Sequence, residues 1–189
     1  MFIYGCRVVL RQIQPSDLEI LWNWRNDPHF LQFCSVRRKL VGIEDFDEEL
    51  GRDFLRDRHE QFLIYKKSDP NNPIGTIYSY NLNRVDGYAF VTVYLNKESE
   101  KKGYGAAATA VFFQYLFETF SLFKIYIEVY EYNAQSLNPL LKGGAVEEGR
   151  FRKHRLFGDK RWDLIRLAVY QDQLDSIRRI TLDKVTVMD

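Results

Sequence analysis

The sequence predicts an α+β fold built on a mostly antiparallel sheet. Three observations carry this. Strand-like runs in residues 60–95 and 146–170 are joined by links too short for crossovers, so neighbouring strands run antiparallel. Apolar residues at helical spacing occur before and between these runs. One unit, Tyr88 to Tyr130, differs from the rest. A strand, a glycine loop, a helix and a second strand there make a parallel crossover.

The elements follow in order. Arg7 to Gln12 reads as the first strand. In "QPSDLEILWNWRNDP", Pro15, Ser16 and Asp17 start a helix, Leu18, Leu21 and Trp22 give its apolar face, and Asn26-Asp27-Pro28 ends it. Cys34 to Leu40 reads as a short strand or a loop. Ile43 to His59 reads as a helix, because Glu44, Asp45, Asp47, Glu48 and Glu49 crowd its start and Arg52, Arg56 and Arg58 its end, the order that suits the helix dipole. Phe46, Leu50 and Phe54 form its buried stripe. A meander of "QFLIYK", "IGTIYSYNL" and "YAFVTVYL" follows, with "KSDPNNP" and "NRVDG" as turns. Ala106 to Phe120 reads as a helix and "KIYIEVY" as a strand. "NAQSLNPLLKGG" reads as a short or broken helix, since Pro139 cannot donate within it. A hairpin turns at Gly158-Asp159, and Gln171 to Asp189 reads as a short helix and a tail. Trp22, Trp24 and Trp162 are expected in the core or a cleft wall.

A chain of 189 residues, 46% hydrophobic, suits one domain with a sizeable core. Residues 1–170 are expected to form it, with residues 171–189 as its C-terminal extension. The formal charge of +1, from 27 basic and 26 acidic residues, lacks the excess a nucleic-acid binder needs. Arg152, Lys153, His154, Arg155, Lys160 and Arg161 form a basic stretch that reads as a solvated strand pair or a phosphate patch. "MFIYGCRVVLRQ" has no long apolar run, so neither a signal peptide nor a membrane span is expected. Cys6 and Cys34 match no metal-ligand spacing and fit a reduced, cytoplasmic compartment.

The stretch "EKKGYGAAATAVFFQYLF", Glu100 to Phe117, carries the chemistry. A helix leaves its first N–H groups unpaired and holds partial positive charge there. Gly103 and Gly105 remove the side chains that would keep phosphate oxygens away. Lys101 and Lys102 add charge, and Ala106, Ala107 and Ala108 keep the first turn slim. Val111, Phe112, Phe113, Leu116 and Phe117 would anchor the helix in the core. A plain tight turn uses the same residues. The loop lacks the Gly-Lys-Ser/Thr of a P-loop and the third glycine of a dinucleotide fingerprint.

With this loop the chain resembles the GCN5-related N-acetyltransferases, in particular the branch of ribosomal-protein alanine and spermidine acetyltransferases. The family carries Gln/Arg-x-x-Gly-x-Gly/Ala after its fourth strand; here the loop is Glu100-Lys101-Lys102-Gly103-Tyr104-Gly105. The resemblance runs from "VVLRQIQPSDLEILWNWRNDP" through "PIGTIYSYNL", "KIYIEVYEYNAQS" and "VEEGRFRKH" to "RWDLIRLAVY", leaving out residues 171–189. It implies a mixed sheet of about seven strands, splayed at a central parallel pair and flanked by about four helices. It implies acetyl-coenzyme A as co-substrate, threaded between the splayed strands. Val93 and Leu95 would pair with the pantetheine amides, Lys101, Lys102, Gly103, Tyr104, Gly105 and Ala106 would surround the pyrophosphate, and Asn133 would touch the pantetheine arm. The acceptor, a small-molecule amine or a protein N-terminus, would enter between the first helices and the final hairpin. No metal, nucleic acid or membrane is implied, and a homodimer is compatible with the family.

Three positions depart from the family pattern. Glu100 replaces Gln or Arg and is expected to point to solvent, away from the phosphates. Phe90 stands where many relatives carry a Glu base, and Leu140 where many carry a Tyr that protonates the leaving thiolate. An attacking amine must still lose a proton. Glu128, opposite Ile127 and Val129 on its strand, and His154, on the strand bordering the acceptor, are the candidate catalytic residues. Each also reads as an ordinary polar strand residue. Tyr104, Tyr126, Tyr130 and Tyr132 read as packing residues. Neither cysteine lies near the loop, so direct transfer is expected. The rival readings are a non-catalytic coenzyme A-binding module and a nucleotide binder.

Overall fold

In a computed structural model of the protein, the described residues are 1–35, 38–55, 59–176 and 186–188. Strands β1 (Phe2–Tyr4) and β2 (Val8–Gln12) open the chain, followed by helices α1 (Leu18–Arg25), α2 (Pro28–Phe33) and α3 (Ile43–Leu55). The meander is β3 (Glu60–Lys66), β4 (Asp69–Asn83) and β5 (Tyr88–Leu95). Helix α4 (Tyr104–Phe120) crosses to β6 (Lys124–Tyr130), and α5 (Ala134–Lys142) leads to the hairpin β7 (Val146–Phe157) and β8 (Lys160–Tyr170). Strand β9 (Thr186–Met188) comes last. Among the described residues these strands form one nine-stranded sheet, ordered β7-β8-β6-β5-β4-β3-β2-β1-β9. Among the described residues, only β5 and β6 pair in parallel.

Period-two alternation divides the core between the two sheet faces. Val8 and Leu10 of β2, Phe62 and Ile64 of β3, and Ile125 and Val129 of β6 pack with α4. Val9, Leu63 and Tyr65 point the other way, onto Leu21 of α1 and Phe46 of α3. Helix α4 is apolar on almost every side, and Phe112, Phe113, Leu116 and Phe117 are fully or nearly fully buried. That burial holds its N-terminus rigidly against the sheet. Arg11 ties β2 to the start of α1, with a two-pronged bond to Asp17 at 2.8 and 3.0 Å.

Several expectations are corrected or narrowed. Two more strands exist than the roughly seven expected, because β1 and β9 are three residues each, too short to show alternation. The tail thus ends in a strand, paired to β1; residues 177–185 lie outside the described residues. Pro28 ends α1 but also begins α2, where proline's missing N–H costs nothing and the Asp27 side chain caps the N–H groups of His29 and Phe30. Cys34 then closes α2, and of Cys34 to Leu40 the described residues 34, 35 and 38–40 lie outside any strand, which fits the loop alternative; residues 36 and 37 lie outside the described residues. Helix α3 is described to Leu55, residues 56–58 lie outside the described residues, and His59 belongs to the approach to β3. Helix α5 is continuous through Pro139. No described helix is long and apolar enough to cross a membrane.

Candidate active site

Strands β5 and β6 pair at only three positions, ending at Phe90 opposite Tyr126. Beyond this rung β5 continues to Leu95 and β6 to Tyr130, and each keeps its outer neighbour, β4 and β8. The gap opens into a cleft of about 910 Å³. Odd-numbered residues of β5, including Val93 and Leu95, face α4, whereas Phe90, Thr92 and Tyr94 face the side of α1 and α2. Backbone direction along the gap is visible in two contacts. The Tyr94 carbonyl points at β4, since a Cβ on Gly75 would lie 2.0 Å from it. The Val93 carbonyl accepts the Cys34 thiol at 3.7 Å, from the cleft side.

At one end of the cleft stands the N-terminus of α4. Intrahelical bonding begins with Ala107 N–H to the Gly103 carbonyl, 3.1 Å, so the N–H groups of Tyr104, Gly105 and Ala106 precede it. Gly103 has φ +81°, in the left-handed region open to glycine. Arg7, just before β2, locks the loop. It donates to the Lys102 carbonyl at 2.9 Å and lies over the Tyr104 ring at 5.0 Å. Lys101, Gly103, Gly105 and Ala106 line the cleft; Lys102 and Tyr104 are not among its wall residues. Tyr104 can offer its backbone N–H there, but its ring is held by Arg7. This bare first turn fits a diphosphate.

Glu100 does not point to solvent. It meets His29 Nε2 at 2.5 Å, with only 16% of its side chain exposed. Helix α2 brings His29 over the loop, so the acidic departure from the family pattern is bonded to a partner far away in sequence. Asn133 lines the cleft and accepts the Ser136 N–H at 3.3 Å, which caps α5.

At the other end lies Glu128, on the same sheet face as Tyr126, two residues past the last parallel rung. Directly across β8, Arg166 donates its Nε and Nη2 to Glu128 Oε1 at 3.0 and 2.7 Å. Both bonds fall on Oε1, which leaves Oε2 without a hydrogen bond among the described residues. Arg166 also lies over the rings of Phe90, Tyr126 and Phe151 at 5.0, 5.6 and 5.3 Å. Phe90, in the position of the family's Glu, is thus a stacking residue at the vertex of the splay, against Tyr126 at 5.0 Å and Tyr80 at 5.4 Å. His154 lines the cleft but is exposed, edge-on to Phe151 at 6.0 Å. Leu140 lines the wall near Gly143.

Arg166 and His29 escaped the sequence reading, and four more residues were missed or misplaced by it. Arg7 lies 95 residues from the carbonyl it binds. Tyr80 lines the cleft, its hydroxyl pushed up to about 12 by burial first and then by the charge of Glu128. Cys34 does enter the cleft wall, contrary to the expectation that neither cysteine comes near. Burial, then the charge of Glu100, pushes its thiol up to about 12. Arg155, expected on a solvated strand, is buried. Its Nη2 donates to the carbonyls of Leu31, Gln32 and Ser35 at 3.1, 3.4 and 2.8 Å, capping the C-terminus of α2. A bulge between Phe151 and Arg155, with Lys153 at φ +53°, turns it inward. No pattern in the sequence marks that bulge.

Residues 7–146 match the model of the acetyltransferase (GNAT) domain. The spermidine N(1)-acetyltransferase of Vibrio cholerae serotype O1 is 22% identical over 169 residues, covering 88% of this chain and 95% of that one. The crystal structure of spermidine N-acetyltransferase from Vibrio cholerae in complex with CoA and spermine superposes with a TM-score of 0.80, at 19% identity, covering 88% of this chain and 97% of that one. A dodecameric structure of spermidine N-acetyltransferase from the same organism gives a TM-score of 0.75 at 19% identity, covering 88% and 95%. The splayed parallel pair and the glycine-bounded helix start therefore sit in a chain that belongs to the GNAT acetyltransferase family.

Proposed function

We propose that this N-acetyltransferase moves the acetyl group of acetyl-coenzyme A to a primary amine by direct attack in the splayed cleft. The observation that carries this reading is the arrangement along one gap: free α4 N–H groups at one end, the unpaired inner edge of β5 along it, and Glu128 at the other. The donor supplies an activated thioester carbonyl. The N–H groups of Tyr104, Gly105 and Ala106, with Lys101, hold its diphosphate, and Lys102 adds positive charge outside the wall. Val93 and Leu95 bind its amides through their backbone groups, and Asn133 borders its arm.

The attacking amine must be neutral. Glu128 Oε2 accepts its proton, while Arg166 holds Oε1 and so orients the carboxylate. His154 is the second proton acceptor, reached from the hairpin side. The leaving group is a thiol, far more acidic than an alcohol, and it departs as thiolate. Leu140 in place of an acid is tolerable on this account. Holding the two reactants in line contributes up to roughly 7–11 kcal/mol, against about 10²–10⁴-fold from a single acid or base.

The acceptor is a small-molecule amine or a protein N-terminus. The Vibrio cholerae relatives are spermidine acetyltransferases, which places polyamines among the compounds to try. The assembly is a homodimer or larger; the dodecameric relative makes light scattering the decisive measurement. Phe90 and Leu140 favour a second reading, a module that binds coenzyme A without turnover. Free thiol followed with acetyl-coenzyme A and a broad amine panel separates the two. Release above the spontaneous rate is expected, and binding with no release across the panel would establish the module.

A further inference from the structure

A second cavity, of about 520 Å³, lies on the Glu128 face of the sheet, between α1, α3 and the β3–β4 pair. It meets the cleft at Cys34, which lines both. An acceptor entering from this side therefore crosses the cavity on its way to Glu128.

The charges lining the two spaces are unevenly satisfied. Arg25 donates to the Lys39 carbonyl at 3.5 Å and lies over the Phe30 ring at 5.7 Å. Arg52 donates Nε to the Glu48 carbonyl at 3.2 Å. Neither guanidinium has a carboxylate partner among the described residues. The carboxylates are the reverse. Glu49, in the same cavity, is already engaged. In the cleft, Glu100 is bonded to His29 and Glu128 to Arg166. The remaining polar wall is neutral and internally bonded: Gln61 joins His59 at 2.9 Å and Thr76 at 3.1 Å. A polycation would bring charge toward two guanidiniums, while Glu49 and Glu100 are already held and Glu128 offers only Oε2, the atom that the reacting amine itself takes. A carboxylate or phosphate would find planar, multiply donating groups suited to it.

We infer that the acceptor is an amine that also carries an anionic group, carboxylate or phosphate, with the anion held by Arg25 and Arg52 and the amine delivered to Glu128. This rests on the acetyltransferase reading above. It separates the chain from the spermidine acetyltransferases that share its fold.

Two matched probe sets test it on the full chain saturated with coenzyme A. One is 6-aminohexanoate, 6-aminohexyl phosphate, 6-aminohexan-1-ol and hexane-1,6-diamine; the other is glucosamine 6-phosphate and glucosamine. Spermidine completes the panel. Calorimetry is expected to show an anionic member binding at least about tenfold more tightly than its neutral or cationic counterpart, the effect of one charge-assisted bond. Whether the carboxylate or the phosphate arm wins tells which anion the site takes. Arg25→Gln and Arg52→Gln should each shrink that preference while leaving 6-aminohexan-1-ol binding unchanged. Arg52 is exposed, so its variant keeps the fold. Equal or tighter binding of the diamine or spermidine, a preference that survives both variants, or no binding by any member at millimolar concentration overturns the inference. Thiol release on the same panel separates the two failures. Release from diamines without anionic preference sinks the inference and keeps the transferase. Anion-selective binding without release keeps the anion site and sinks the transferase.

Discussion

At the residue scale, Glu128 and Arg166 are directly opposed on β6 and β8, and their pairing decides how one carboxylate can serve. Arg166 occupies Oε1 twice and stacks on three rings, so the carboxylate is oriented while Oε2 stays open. Glu128→Gln should lower kcat by about 10²–10⁴-fold with donor affinity unchanged. His154→Gln serves as the contrast, and a larger loss there would move the proton-accepting role to the hairpin; steady-state kinetics with calorimetry on both variants decides. Gly103 carries a different burden. At φ +81° any side chain is strained, and a Cβ would come 2.6 Å from Arg7 Nη1, the atom group that locks the loop. Gly103→Val is expected to cost about 1–3 kcal/mol of local strain and to weaken acetyl-coenzyme A binding. Calorimetry that finds wild-type donor affinity in this variant would contradict the cradle.

At the element scale, the hairpin β7–β8 does more than finish the sheet. Its buried Arg155 holds the C-terminus of α2, the helix whose His29 holds Glu100 beside the donor loop. Arg155→Met removes hydrogen bonds from a charged donor and should lower unfolding free energy by about 1.5–3 kcal/mol, read as a smaller urea midpoint at unchanged slope. The far end of the same hairpin joins β6 through Glu148. Burial is the largest single influence and raises its carboxyl, but the Tyr170 hydroxyl, Lys124 at 2.9 Å and the Tyr126 hydroxyl together outweigh burial and leave it below its ordinary value of 4.5. A depressed carboxyl stabilises the fold above its unfolded value and loses that contribution as pH falls through the lower, folded value. Thermal melts should therefore show Glu148→Gln less stable than wild type at pH 7, with the gap closing in acid below 4.5.

At the scale of the whole molecule, β9 pairs with β1 through Phe2–Met188, Ile3–Val187 and Tyr4–Thr186, and covers an edge that would otherwise be open. An uncovered edge is a template for pairing between chains. Deleting residues 186–189 should lower the melting temperature slightly and increase self-association, measured by light scattering against chain concentration. An unchanged association state would mean that β1 is protected in another way.

Much of this organisation was legible from the chain. Strands β5, β6 and β7 begin and end where alternation and turn residues place them, and α4 starts two residues before the expected Ala106 because Gly103 caps it. The bare start of α4 was legible because its chemistry is local: glycines, lysines and alanines adjoin the helix they serve. Glu100, Cys34, Arg155 and Arg7 were not, because each is defined by a partner from a distant element. His29 lies 71 positions before Glu100, and Ser35 lies 120 before Arg155.

Short-range chemistry alone thus determined the mixed sheet, its parallel crossover and a glycine-bounded, bare helix start, since alternation, turn residues and backbone freedom act within a few positions. Only the packed molecule decided which carboxylate keeps an oxygen open, which cysteine reaches the cleft and which arginines are left without acidic partners. Those outcomes depend on which side chains meet across strands and layers, and long-range contact leaves no periodic trace in one chain.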